Sequence, residues 1–217
     1  MEDLSLAVSV ACNRAFASTS IEPRLRIWVD GRLDYQALTE LTNSWATNEG
    51  APHERLRRIC EPSSVLAFNG VANWNVQIGS ALKDISDTVY DAIGSGGKCL
   101  ANTYCFITGG SADTAFGAHV DFEDSVIIDL EGAGRVVREW PRGASYGALK
   151  NGAAGHLGSS FKWEPYAADS RLEFLVPGSV YNIPTLCPHL FHTLGAGFFW
   201  DCLSFGVPVF RSAICLT

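Results

Sequence analysis

The chain has 217 residues and a mass of 23.4 kDa, of which 47% are hydrophobic and 18% charged. One domain is the default at that length; it can bury roughly 70% of its extended-chain surface and needs no disulfide or structural metal to hold a core. Sixteen Lys and Arg against 23 Asp and Glu leave a net charge of −7, which argues against a nucleic-acid binder, and the hydrophobic content argues against disorder.

The chain opens on Met1-Glu2-Asp3, acidic where a signal peptide is basic, and the apolar stretch 4–11 is short and interrupted by Ser5 and Ser9. No segment approaches the roughly 18 apolar residues of a membrane span. The seven Cys form no CxxC pair, and several lie in apolar runs, as in Tyr104-Cys105-Phe106. They read as reduced, buried thiols of a cytoplasmic protein that binds neither membrane nor nucleic acid.

Residues 1–95 read as a mixed segment that covers the rest. Leu25–Val29 is a candidate strand closed by the turn pair Asp30-Gly31. Asp34 is placed to cap a short helix with Leu38, Leu41 and Trp45 on its apolar face. Arg55, Arg57 and Arg58 read as a solvated helix face. The clearest helix spans 75–93, where Ile78, Leu82, Ile85, Val89 and Ile93 fall on one stripe before Gly94, a residue suited to a left-handed cap.

Residues 96–217 have another texture. Short runs rich in Val, Ile, Phe and Tyr (99–107, 125–130, 135–140, 172–176, 179–183 and 198–207) alternate with Gly and Pro. That pattern predicts a mainly β fold with flanking helices, an antiparallel barrel or jelly roll. The Gly- and Ala-rich stretch 143–160 reads as a loop.

Of five His, the informative one is His119, in Gly117-Ala118-His119-Val120-Asp121. Positions i and i+2 of a strand face one side, so an imidazole and a carboxylate would converge. They make two thirds of the two-His, one-carboxylate triad that holds Fe(II) and leaves three positions open. The third ligand must come from far along the chain, and Cys187-Pro188-His189 offers it after the strand-turn-strand pattern of 175–184. His192 competes, but in a strand two residues three apart face opposite ways. His53 and His156 have no supporting context.

Three blocks then resemble the cupin-type JmjC oxygenases, in particular the hydroxylases that modify ribosomal proteins. They are Phe68-Asn69-Gly70-Val71; Ala101-Asn102-Thr103-Tyr104 with Phe116-Gly117-Ala118-His119-Val120-Asp121, Asp124 and Val126-Ile127-Ile128; and the run 176–184 with His189, closing on Leu203-Ser204-Phe205-Gly206. The resemblance implies a double-stranded β-helix, an Fe(II) ion, and 2-oxoglutarate with O2 as co-substrates. It places His119, Asp121 and His189 on the metal and catalytic positions, His189 standing five residues after Pro184 as the family's distal His does. It also places Asn102 and Tyr104 where the co-substrate pocket is lined.

Two departures follow. Where the family has a Lys or Arg for the distal carboxylate of 2-oxoglutarate, the straight alignment meets Gly134. A one-residue bulge in Gly132-Ala133-Gly134-Arg135 would turn Arg135 inward, and without it Arg138 has the required parity. Either guanidinium could grip a carboxylate through two parallel hydrogen bonds. The sequence also stops at Thr217, without the dimerising and C-terminal segments of the ribosomal-protein hydroxylases. The expectation is an Fe(II)/2-oxoglutarate hydroxylase of a small molecule or peptide. A metal cupin that uses no 2-oxoglutarate, and a non-catalytic cupin-like binding domain, stand as alternatives.

Overall fold

The computed structural model describes residues 25–47, 64–69, 76–93, 104–108, 117–121, 124–132, 134–142, 150–151, 159–194 and 202–209. Strand β1 (Leu25–Val29) turns into β2 (Arg32–Leu33). The intervening Asp30 and Gly31 have φ of 49° and 71°, the left-handed pair that a tight two-residue hairpin demands. Helix α1 (Tyr35–Ala46) follows at once, and Asp34 Oδ1 accepts the Ala37 N–H at 2.9 Å, satisfying an amide that the first helical turn leaves unpaired. Leu41 is its buried anchor. Helix α2 (Val76–Ile93) occupies the predicted span; most side chains of its apolar stripe lie outside the described residues, as do Arg55, Arg57 and Arg58.

The remaining strands are β3 (Ser64–Asn69), β4 (Tyr104–Thr108), β5 (His119–Val120), β6 (Asp124–Gly132), β7 (Arg135–Glu139), β8 (Lys150–Asn151), β9 (Ser159–Ser160), β10 (Arg171–Leu175), β11 (Val180–Ile183), β12 (His189–Thr193) and β13 (Cys202–Val209). They form two antiparallel sheets, ordered β11-β6-β13-β4-β3-β1-β2 and β10-β7-β12-β5-β9-β8. From β4 to β7, and again from β10 to β13, successive strands alternate between the sheets. That is the winding of a double-stranded β-helix, the jelly roll expected from the strand pattern. Strands from the first 95 residues extend the larger sheet beside β4.

Two expectations need correction. The stretch 143–160, read as a loop, contains β8 and β9, which pair with each other and lengthen the smaller sheet beyond β5. Two-residue strands are too short to show a period-two pattern. The predicted runs also omitted β12, which pairs with β5 on one side and β7 on the other.

The barrel interior is closed by Ile127, Val137, Leu175, Ile183 and Phe191, drawn from five strands of both sheets. Each such side chain contributes roughly 1.5–3 kcal/mol relative to exposure. A second cluster, Ala118, Trp140, Phe161 and Leu190 with Trp163 and Tyr166, seals the outer face of the smaller sheet under a 3-10 helix (Glu164–Asp169). Trp140 Nε1 donates to Tyr166 O at 2.8 Å, which satisfies the polar atom of the buried indole.

Gly134 leads from β6 into β7 at φ 92°, and a Cβ built there would lie 2.6 Å from the Leu175 carbonyl oxygen. Gly134→Ala is therefore expected to destabilise the fold by about 2 kcal/mol, combining left-handed strain with a backbone clash. A shift of the urea midpoint at constant slope measures it. Among the described residues, no helix is long and apolar enough to cross a membrane.

Candidate metal centre

His189 is the first residue of β12 and pairs directly opposite His119 of β5. Directly opposed residues of an antiparallel pair project to the same face, which is how two imidazoles 70 positions apart in sequence meet. Their ring centroids are 4.2 Å apart. Asp121, just past the end of β5, brings its Oδ2 to 3.8 Å from His119 Nε2 and 3.6 Å from His189 Nε2. The three donor atoms all lie within 4.8 Å of one another, with both histidines buried and the aspartate half-buried.

Both rings are oriented by their own backbone neighbourhood. His119 Nδ1 lies 2.8 Å from Gly117 O, and His189 Nδ1 lies 3.0 Å from Cys187 O. A carbonyl oxygen can only accept, so Nδ1 carries a proton in each ring and Nε2 is the nitrogen that faces the cluster. Gly117 reaches this geometry at φ 65°, a conformation open to glycine at no steric cost. Two imidazoles turned this way and one carboxylate, grouped at one point, suit a divalent transition metal of intermediate softness. His192 is exposed and stands opposite Val136, on the other face of β12 from His189.

The alternation along β7 carries Arg135, Val137 and Glu139 inward and Val136 and Arg138 outward. Arg135 is buried; its Nη2 donates to Asp129 Oδ1, and its guanidinium carbon lies 4.5 Å from the centre of the Phe191 ring. Its Nε has no hydrogen-bond partner among the described residues. Thr193, also buried, faces it across the β7–β12 pair. Two irregularities precede Arg135: the β6–β13 pairing skips Leu130, between Glu131 and Asp129, and Gly134 enters β7 at φ 92°. Arg138 instead donates from Nη1 to Ser170 Oγ at 2.6 Å and Ala167 O at 3.1 Å, outside the barrel, and its guanidinium carbon lies 5.0 Å from the Trp163 ring centre. Asn102 lies outside the described residues; Tyr104 begins β4, and its side chain lies outside them too.

The sequence reading missed a second polar group in the interior. The register aligns Arg171, Glu139, His189 and His119 in one row across four strands. Arg171 Nη2 donates to Glu139 Oε2 at 2.6 Å and to the Tyr181 hydroxyl at 3.2 Å. A signal was present, because Glu139 continues the period-two series begun by Arg135. Asp129 likewise stood out as a lone charge within the apolar run of β6. Burial, and then the charge of Glu139, push the Tyr181 phenol up to about 12, against the opposing pull of Arg171. The neutral phenol is thus favoured in the fold. Its stabilising contribution is complete below pH 10, the ordinary tyrosine value, and is lost as pH rises towards 12. In an alkaline titration followed by tyrosinate absorbance, the difference between the wild type and Tyr181→Phe is expected to emerge only near pH 12.

No family model matches the sequence, and no curated protein matches it. Solved structures do. The X-ray structure of Escherichia coli YcfD aligns at a TM-score of 0.45 with 19% identity, over 68% of this chain and 34% of that one. YcfD described as a ribosomal oxygenase in complex with cobalt and 2-oxoglutarate gives 0.44 and 19%, over 68% and 32%. Bacillus subtilis oxalate decarboxylase gives 0.37 and 12%, over 70% and 27%. The match spans about a third of the length of YcfD. On its own geometry the chain is a double-stranded β-helix whose interior groups two histidines and one aspartate.

Proposed function

We propose that the protein is an Fe(II)- and 2-oxoglutarate-dependent oxygenase that hydroxylates a small molecule or a peptide. The observation that carries this reading is the convergence of His119, Asp121 and His189 at one end of the barrel, two lone pairs and one carboxylate within 4.8 Å. Three such donors on one side of an ion leave the opposite side open for other ligands. When bound there, Fe(II) would supply O2 activation coupled to decarboxylation of 2-oxoglutarate to succinate and CO2.

The residues have separate tasks. His119 and His189 hold fixed tautomers against Gly117 O and Cys187 O, so their basic nitrogens need no rearrangement on binding. Asp121 supplies the negative charge and fills the place that a halide would take in a halogenating site, so the reading is oxygenation without halogenation. Arg135 is the inward cation for the distal carboxylate of 2-oxoglutarate. It stands four positions along β7 from Glu139, the neighbour of His189, roughly 13 Å at strand rise. A five-carbon dicarboxylate together with the arginine side chain covers that span. Asp129 holds one edge of the guanidinium and Phe191 its face.

One observation favours a second reading. Arg135 already has a buried counter-ion, as a metal cupin that uses no 2-oxoglutarate would tolerate. Anaerobic addition of 2-oxoglutarate to the Fe(II)-loaded protein separates the two. The weak visible charge-transfer band of the chelate, followed by succinate release on admitting O2, is the expected result. A metal-loaded protein that shows neither, and whose turnover ignores 2-oxoglutarate, belongs to the second reading.

A further inference from the structure

We infer that Asp124 and Arg142 are positioning residues for His189: they hold Thr185 from two sides and thereby fix the turn that aims this ligand. The inference rests on the metal-centre reading above, and neither residue is one of the three donors.

Residues 184–188 join β11 to β12 and end immediately before His189. The Thr185 N–H donates to Asp124 Oδ1 at 2.6 Å, a contact across 61 residues to a carboxylate that is 5% exposed. The other side of Thr185 is taken by Arg142, whose Nε donates to Thr185 O at 2.8 Å and whose Nη2 donates to the same oxygen. Charged partners on both main-chain polar atoms of one residue make the contacts short and directional.

The turn they hold is one that the chain would not keep unaided. Leu186 sits at φ 57°, left-handed backbone for a residue with a branched side chain, and such a conformation persists only where its surroundings over-determine it. Those surroundings are ligand segments. The Leu186 N–H donates to Asp121 O at 2.9 Å, the Cys187 N–H to Pro184 O at 3.1 Å, and the Trp140 N–H to Pro188 O at 3.0 Å. Cys187 O is in turn the acceptor for His189 Nδ1 at 3.0 Å. The path therefore runs from Asp124 and Arg142, through the turn, to the carbonyl that sets the ring of His189. It also ties that ring to the backbone of Asp121, the ligand opposite.

Asp124→Ala, Asp124→Asn and Arg142→Ala test this with two readouts. In the metal-free protein, the NOE between the ring protons of His119 and His189, whose centroids are 4.2 Å apart, should be lost or sharply weakened in Asp124→Ala. It should weaken in Arg142→Ala and survive in Asp124→Asn, whose amide oxygen accepts the same N–H. Co(II) affinity should fall about 10–100-fold in Asp124→Ala, the scale of losing a group that orients a ligand, and recover most of that in Asp124→Asn. Should Asp124→Ala not fold, Arg142→Ala, an exposed substitution, carries the same two measurements. An unchanged ring contact with unchanged Co(II) affinity overturns the inference, even where thermal stability drops, because that pattern marks a purely structural role. A wild type that keeps the ring contact yet takes up no Co(II) defeats the metal-centre reading instead, and the metal-free NOE still decides the positioning role.

Discussion

His189→Ala is expected to lose bound Fe(II) and 2-oxoglutarate turnover together, whereas His192→Ala keeps the metal and most of the activity. His189 lies 2% exposed at the heart of the cluster, directly opposite His119, and its removal leaves two donors where three converge. The drop in metal affinity should exceed the roughly 10–100-fold that follows loss of a mere orienting partner. Asp121→Ala should act similarly by removing the one anionic donor. His192 faces solvent on the other side of β12 and has no route to the cluster without a one-residue slip of the strand. Metal content after gel filtration and succinate production in the same preparations check the pair. The reverse outcome would mean that 185–191 pairs in a different register from the one seen.

The second large effect concerns Asp129 and Arg135. Asp129→Ala or Arg135→Ala should each cost about 3–5 kcal/mol of stability, because each leaves a charge buried against apolar neighbours such as Phe191. Replacing both at once, Asp129→Leu with Arg135→Met, should recover most of that loss, since an apolar pair of similar volume needs no desolvation of charge. The double variant thereby separates folding from co-substrate binding. If Arg135 grips the distal carboxylate, the refolded double variant still binds Fe(II), but its 2-oxoglutarate affinity falls at least about tenfold, the lower end of a lost hydrogen bond to a charged group. Chemical denaturation and an anaerobic 2-oxoglutarate titration give the two numbers. Unchanged affinity in a folded double variant would move the weight to the reading without 2-oxoglutarate.

Signals that live within a few residues were legible without coordinates. Asp30-Gly31 announced a turn, which the fold uses as a tight hairpin, and Asp34 announced a helix start because its side chain can reach an unpaired amide. The short apolar runs between Gly and Pro announced the strands of a jelly roll, although β8 and β9 were too short to register and β12 was seen only through its histidine. The HxD motif fixed by itself that an imidazole and a carboxylate stand two positions apart.

Register was not legible, and most of the site depends on it. Alternation says which residues share a face but not which face is inward, and one slipped residue inverts the answer. Whether Arg135 or Arg138 enters the barrel turned on the irregularity at Leu130 and the left-handed Gly134, neither of which has a length or composition signature. The partnership of Asp129 with Arg135, the row that sets Glu139 beside His189, and the grip on Thr185 all join atoms from different strands. The amino-acid sequence by itself determined which chemical groups the chain carries and their local spacing. Tertiary structure alone decided which of them meet, because contacts across the two sheets are made by hydrogen-bond register and strand connection rather than by nearness along the chain.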